Sequence, residues 1–291
     1  MTLGLALLVA SAATAQDRPR VVAVNQVLHD FAAQLLDGAA EVVFPVPEGV
    51  DPSFWRPSIA DISQIQSADL ILLNGAGFAS WIDRVSLPRS RLVNTSAGIR
   101  DRFIVTESIT HSHGDGGEHS HEGLASYTWL DPTLASAQAE AIAAALAIRG
   151  LAKPEEVYPR LAELTAELTA LDTMAREALS AAQGATIVAT HPRYQYLARR
   201  YDLLITSLEW EAGAMPTPDD LAELERLAPQ DGGVLIWEAE PPRAAIDATD
   251  ALGLRSVVFA PWARAGGDGS FVDAYSNAVQ AIAGAAGEGP N

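Results

Sequence analysis

Hydrophobic positions along the chain change their period in a regular way. Val21 to Val24 is a short β-branched run. Val27, Phe31, Leu35 and Leu36 then recur at helical spacing, and Glu41 to Val46 returns to a strand pattern, which together predict a β-α-β opening. Asp61 to Ala68 carries Ile62 and Ile65 at helical spacing, and Asp69 to Asn74 is a nearly continuous apolar run of the kind parallel strands show when both faces are covered. Arg91 to Asn94 and Phe103 to Thr106 predict weaker strands, and residues 133–149 an alanine-rich helix. From Pro154 to Ala182 the pattern becomes one long helix, and its stripe of Leu161, Leu164, Leu168, Leu171 and Met174 predicts core packing. Thr186 to Ala189, Leu203 to Leu208, Val234 to Trp237 and Ser256 to Phe259 then alternate with helical segments.

The expected fold class is α/β, with two parallel-sheet lobes joined by a long rigid linking helix. Residues 16–150 form the N-terminal lobe, including a His-rich loop at 110–123, residues 151–183 the linking helix, and residues 184–291 the C-terminal lobe. Ligands of such lobes bind outside the carboxyl ends of the strands, so the residues just after each strand carry the functional information.

Composition narrows the function. With 19 basic and 37 acidic residues the 291-residue chain has a formal charge of -18, which repels a phosphate backbone and an anionic bilayer alike. Nucleic acid is therefore not an expected partner. The absence of cysteine excludes disulfides, thiolate metal sites and cysteine nucleophiles. Residues 1–15 are apolar and then small, ending in the Ala13-Thr14-Ala15 cleavage pattern, and predict a signal peptide and an exported protein.

Residues 110–121, THSHGDGGEHSH, hold four of the six histidines as two His-x-His pairs, His111 with His113 and His119 with His121. Imidazoles suit borderline ions such as zinc, copper and nickel, and the glycines between the pairs let both reach one ion. The loop also approaches the Thr-His-x-His-x-Asp-His signature of metallo-β-lactamases through Thr110, His111, His113 and Asp115, but Gly116 stands in the last histidine's place and, beyond the loop, only His191 follows. A metallo-hydrolase is thus the weakest reading. His191 comes directly after a strand, in Ala189-Thr190-His191-Pro192, on the ligand side of an α/β lobe. His29 falls within a helix pattern and reads as structural.

Further motifs extend over nearly the whole chain after residue 15. They are Asp51-Pro52 with Pro57, Ser58 and Asp61-Ile62; Ala68-Asp69-Leu70 with Asn74-Gly75 and Trp81; Trp129-Leu130-Asp131-Pro132; and Ala189-Thr190-His191 with Tyr194 and Tyr196. In these the chain resembles the zinc and manganese solute-binding proteins of bacterial ABC importers, the ZnuA-like family (cluster 9, or cluster A-I). The resemblance implies two α/β lobes around a rigid linking helix, a metal ion in the cleft, no enzymatic activity, and delivery of the ion to a membrane permease by a periplasmic monomer. The family's usual ligands are a histidine after the first Asp-Pro, another two residues before Trp-Leu-Asp-Pro, and an acid in the loop of the last strand. Ser53, Tyr127 and Pro261 occupy those positions here, and only His191 matches.

The expected cargo is Zn2+, held by His191 with His111, His113, His119 and His121, and with Glu209 or Glu240 completing the shell. In the alternative, Trp55, Tyr127, Trp210, Trp237 and Trp262 gather at one opening and line a cleft for a metal chelate or small organic solute, while the loop only captures or senses zinc.

Overall fold

Strand β1 (Arg20–Ala23) is the short β-branched run expected from the sequence, and two residues beyond it Asn25, whose side chain accepts from Leu28 N, starts helix α1 (Gln26–Leu36). Asp37, in the left-handed region at φ 45°, ends that helix and returns the chain to β2 (Glu41–Val43). A capping box between Ser58 and Asp61 starts α2 (Ile59–Ser67), followed by the apolar β3 (Leu70–Leu73) and β4 (Leu92–Asn94). The computed structural model describes residues 18–106, 123–228, 232–266 and 269–287.

The run at Phe103 to Thr106 is a strand for two residues only. It forms β5 (Val105–Thr106), paired antiparallel with β6 (Gly123–Leu124) as a ribbon outside the main sheet. Helix α3 (Pro132–Ile148) begins at Asp131, whose carboxylate accepts from Thr133 N, and has proline at its first position where no backbone N–H is required. The 26-residue α4 (Pro154–Leu179) then extends for about 39 Å. It buries Val157, Leu164, Leu168, Leu171, Ala175 and Leu179; Leu161 and Met174 lie at the edge of this stripe and are partly buried.

The second lobe repeats the pattern: β7 (Ile187–Ala189), α5 (Gln195–Tyr201), β8 (Ile205–Ser207), α6 (Pro218–Leu227), β9 (Gly233–Trp237), α7 (Arg243–Asp250), β10 (Leu254–Val258) and α8 (Phe271–Gly287). The sheets are parallel, ordered β2-β1-β3-β4 and β10-β9-β7-β8. Taken strand by strand within each lobe, the two orders are the same. Each sheet therefore has its switch point between its first and third strands, where α/β sheets bind ligands. Helix α4 packs on α1 and α3 of the first lobe and on α5 and α8 of the second.

The lobes share one apolar cluster. Phe31 of α1 meets Phe271 of α8 edge to face at 5.8 Å. Trp129 Nε1 donates to Pro261 O at 2.7 Å, Tyr275 Oη to Leu130 O at 2.8 Å, and Gln26 N to Ala263 O at 3.1 Å. Among the described residues, no helix is long and apolar enough to cross a membrane.

Candidate metal-binding cleft

At the first lobe's switch point the residues following β1 and β3 are two buried asparagines, Asn25 and Asn74, joined side chain to side chain at 3.3 Å. Asn74 Oδ1 also accepts from Gln138 of α3 at 3.1 Å, and Asn74 Nδ2 donates to Ser126 O at 2.9 Å. Gln138 in turn donates to Thr95 Oγ1 and accepts from Thr128 Oγ1. These buried amides have their partners within the protein, and the network fixes the segment 126–128 against the sheet. Tyr127 is thereby held beside Phe78 and Trp129, with its hydroxyl 3.4 Å from Ser53 Oγ. Burial pushes the Tyr127 phenol above its ordinary pKa, against the opposing effect of Arg193.

Gly75 explains why a glycine follows Asn74. Its φ is 78°, and a Cβ would lie 2.2 Å from Ser96 Oγ and 2.3 Å from Asn94 Oδ1.

At the second lobe's switch point Thr190, His191 and Glu238 follow β7 and β9. Thr190 N donates to Ile236 O, its carbonyl accepts from Trp210 N, and its hydroxyl accepts from Glu238 N, so the strand ends remain tied beyond the sheet. His191 Nδ1 lies 2.9 Å from Trp210 O. A carbonyl only accepts, so Nδ1 carries the proton, and the lone pair is on Nε2. Burial lowers the His191 pKa, reinforced by the neighbouring Arg193 charge and opposed by Glu238 and Asp51. The ring is therefore neutral near pH 7 and chemically fit to ligate a metal through Nε2.

Sequence reasoning missed the most strongly charged feature of the cleft. Arg193, 8% exposed, reaches from the second lobe to Asp51 Oδ2 of the first at 2.8 Å and lies 3.4 Å from Glu238 Oε2. Its guanidinium carbon is 4.6 Å from the centre of the Tyr127 ring. Arg264 Nη2 bridges the same carboxylates, 3.4 Å from Asp51 and 3.3 Å from Glu238. Burial alone would lower the Arg193 pKa, but Tyr127, Glu238 and Asp51 hold it above its ordinary value. A charged residue two positions after His191 was the available signal, but its partner Asp51 is 142 residues away in sequence.

Glu209 and Glu240 are exposed, and the acid turned into the cleft is Glu238, 4% exposed. The chain leaves the sheet after Trp237, so strand alternation no longer governs Glu240. Among the described residues, no group of three or more His, Asp or Glu side chains could hold a metal. The expected ligands His111, His113, His119 and His121 lie outside the described residues.

The tryptophans expected around the cleft are buried in core contacts. Trp210 and Trp237 pack on each other at 5.6 Å in an apolar cluster of the second lobe, with Val188, Leu224 and Ala245. Trp55 meets Trp81 edge to face at 5.4 Å, and Trp262 Nε1 donates to Asp30. Each is at most 8% exposed, because indole area is worth more inside a core than at a wet opening. Of the expected lining residues, Tyr127 is placed at the cleft ion pairs, beneath Arg193.

The family described as zinc-uptake complex component A, periplasmic (ZnuA) matches residues 21–285. The high-affinity zinc uptake system protein ZnuA of Bacillus subtilis is 27% identical over 238 residues, covering 79% of this chain and 73% of that protein. The zinc-binding lipoprotein AdcA of Streptococcus pneumoniae is 27% identical over 217 residues, 72% of this chain; the match spans only 43% of that longer protein. The iron-binding protein YfeA of Yersinia pestis is 30% identical over 207 residues, 67% of this chain and 62% of that protein. Among solved structures, the lipoprotein YcdH of Bacillus subtilis superposes with a TM-score of 0.77 at 21% identity, over 92% of this chain and 98% of that one. The Zn(II)-bound ZnuA-like domain of Streptococcus pneumoniae AdcA gives 0.74 at 17%, over 93% and 100%. Same-order parallel sheets in two lobes, a helix packed on both, a histidine presented at the second switch point and a family match over almost the whole described chain have one reading: the protein belongs to the ZnuA family of zinc-uptake components.

Proposed function

We propose that the chain is the solute-binding component of an ABC importer, exported by its first fifteen residues, and that it captures zinc and passes it to a membrane permease. The observation that carries this reading is the orientation of His191. Its Nδ1–H is committed to Trp210 O, which leaves Nε2 as a fixed, neutral donor at a strand end where this fold binds its ligand.

One histidine is too few for a tight zinc site, and His111, His113, His119 and His121 supply the further donors in this proposal. The place where the loop is rooted favours them. Its flanking ribbon β5–β6 continues from Ile104, whose N–H donates to Tyr196 Oη, and Arg199 Nη1 donates to Arg102 O. Tyr196 and Arg199 belong to α5, the helix that follows His191. Residues 107–122 number sixteen, and eight residues in each direction can span up to about 26 Å.

Calorimetric titration with zinc tests the proposal. The protein after residue 15 should bind one tightly held ion, and His191→Ala should weaken it at least ~10-fold, the loss of one ligand from a tetrahedral set. Unchanged affinity in His191→Ala would remove the cleft from the site.

A further inference from the structure

Asp51 of the first lobe and Glu238 of the second are both within hydrogen-bond reach of one nitrogen, Arg264 Nη2, and the space beside them is filled by a second guanidinium, that of Arg193. We propose that Arg193 is the cleft's built-in cation: it occupies the charged position between Asp51 and Glu238, excludes bare divalent ions from that position, and so determines where on this chain a metal can bind.

The geometry accounts for the exclusion. The guanidinium donates through Nη2 to Asp51 and Nε to Glu238, while Tyr127 covers it at 4.6 Å and Phe54 lies 5.8 Å away. With Arg264 the two positive groups balance the two carboxylates, so the cluster has no surplus negative charge for a further cation. A guanidinium stays protonated throughout the physiological range and cannot vacate the position by losing its proton. A metal bonded to these carboxylates would need its oxygens at about 2.0–2.2 Å, in the volume that Arg193 fills and next to its full positive charge. Shortening Arg193 would leave the carboxylates of Asp51 and Glu238 as oxygen donors beside the vacated space, chemistry suited to a hard or borderline divalent ion such as manganese or zinc.

The test uses the full chain with His111, His113, His119 and His121 all changed to alanine, so its outcome does not depend on whether the loop and His191 share an ion. Zinc chloride and manganese chloride are titrated into this parent and into the same chain with Arg193→Ala, and melting temperature is followed with and without metal. The expected result is a 1:1 gain in zinc affinity of at least ~10-fold over the parent, relief of like-charge repulsion at contact distance being large. Metal should raise the melting temperature only in the variant, and adding Glu238→Ala should abolish the gain. Arg193→Gln keeps hydrogen bonds to the carboxylates without the charge. It is judged by the same gain if Arg193→Ala leaves too much buried charge unpaired to fold. Variants that bind zinc no better than the parent would overturn the proposal, as would a parent that binds zinc through Asp51 and Glu238 with Arg193 in place.

Discussion

At the scale of single residues, His191 shows how a backbone carbonyl selects which ring nitrogen keeps its lone pair. Trp210 O fixes the tautomer and the ring angle, and burial keeps the imidazole neutral below the pH at which a free histidine is half protonated. For stability the sign is set by the lowered folded-state pKa. The unfolded chain takes up this proton first, so the contribution is complete above about pH 6.5 and is lost as pH falls from there through the folded pKa. Zinc-free protein should therefore unfold at lower urea concentration at pH 5 than at pH 7.5, and His191→Ala should reduce that difference. Zinc should be released over the same range, because protons compete for the proposed loop imidazoles. Retention of zinc unchanged between those pH values would argue for carboxylate rather than histidine ligation. Tyr127 is the second informative residue. Tyr127→Ala removes the ring between Trp129 and Arg193 and should cost about 3–5 kcal/mol in chemical denaturation, whereas Tyr127→Phe loses only one long contact to Ser53 and should cost under about 1 kcal/mol.

At the scale of elements, the turn after β3 and the strand ends carry the geometry. Gly75→Ala forces a left-handed residue into Ser96 and Asn94, and it should destabilise the protein by several kcal/mol in urea unfolding, of order 1–3 from the backbone alone, with the clash in addition. The indole pair of the second lobe offers a cleaner comparison. Trp237 Nε1 donates to Ser256 Oγ at 3.0 Å, while Trp210 Nε1 is buried without a partner among the described residues. Trp237→Phe should thus cost about 1 kcal/mol more than Trp210→Phe when their melting curves are compared. Equal costs would mean that the Ser256 bond contributes nothing.

Elements were also where the sequence was most informative. The short uninterrupted apolar run at Leu70–Leu73 suits a buried strand by its length, the stripe from Leu164 to Leu171 has a helical period, and each lies where the pattern put it. The arrangement of side chains around the cleft was less visible, for a different reason in each case. Glu238 and Glu240 are equivalent in a strand pattern, and only the departure of the chain from the sheet separates them. The tie between Arg193 and Asp51 depends on how two lobes meet, and no local period records it. The tryptophans near strand ends are buried in two apolar clusters, Trp55 and Trp262 in one and Trp210 and Trp237 in the other, and no local period records which cluster takes each.

At the scale of the whole molecule, direct side-chain and backbone contacts bind the lobes to each other. Phe31 with Phe271 and the bonds from Trp129 and Tyr275 cross between them around one apolar cluster, and the Asp51–Arg193 pair crosses beside it. Zinc should therefore leave the relative position of the lobes nearly unchanged, with backbone shifts of about 1 Å or less in solution scattering or a zinc-bound structure. A hinge closure of several ångströms would contradict that expectation. The formal charge of -18 suits a protein that meets cations, but it does not choose among them, and the choice falls to the donor set.

The central claim is that His191 and the loop histidines hold one ion together. It is tested by titrating zinc into the unsubstituted chain, into His191→Ala, into the chain with His111, His113, His119 and His121 changed to alanine, and into the combination. If they share the ion, each change alone removes most of the high-affinity binding, and the combination costs little more than either. If His191→Ala retains tight zinc binding that is lost only with the loop histidines, the loop binds zinc by itself and the account is wrong.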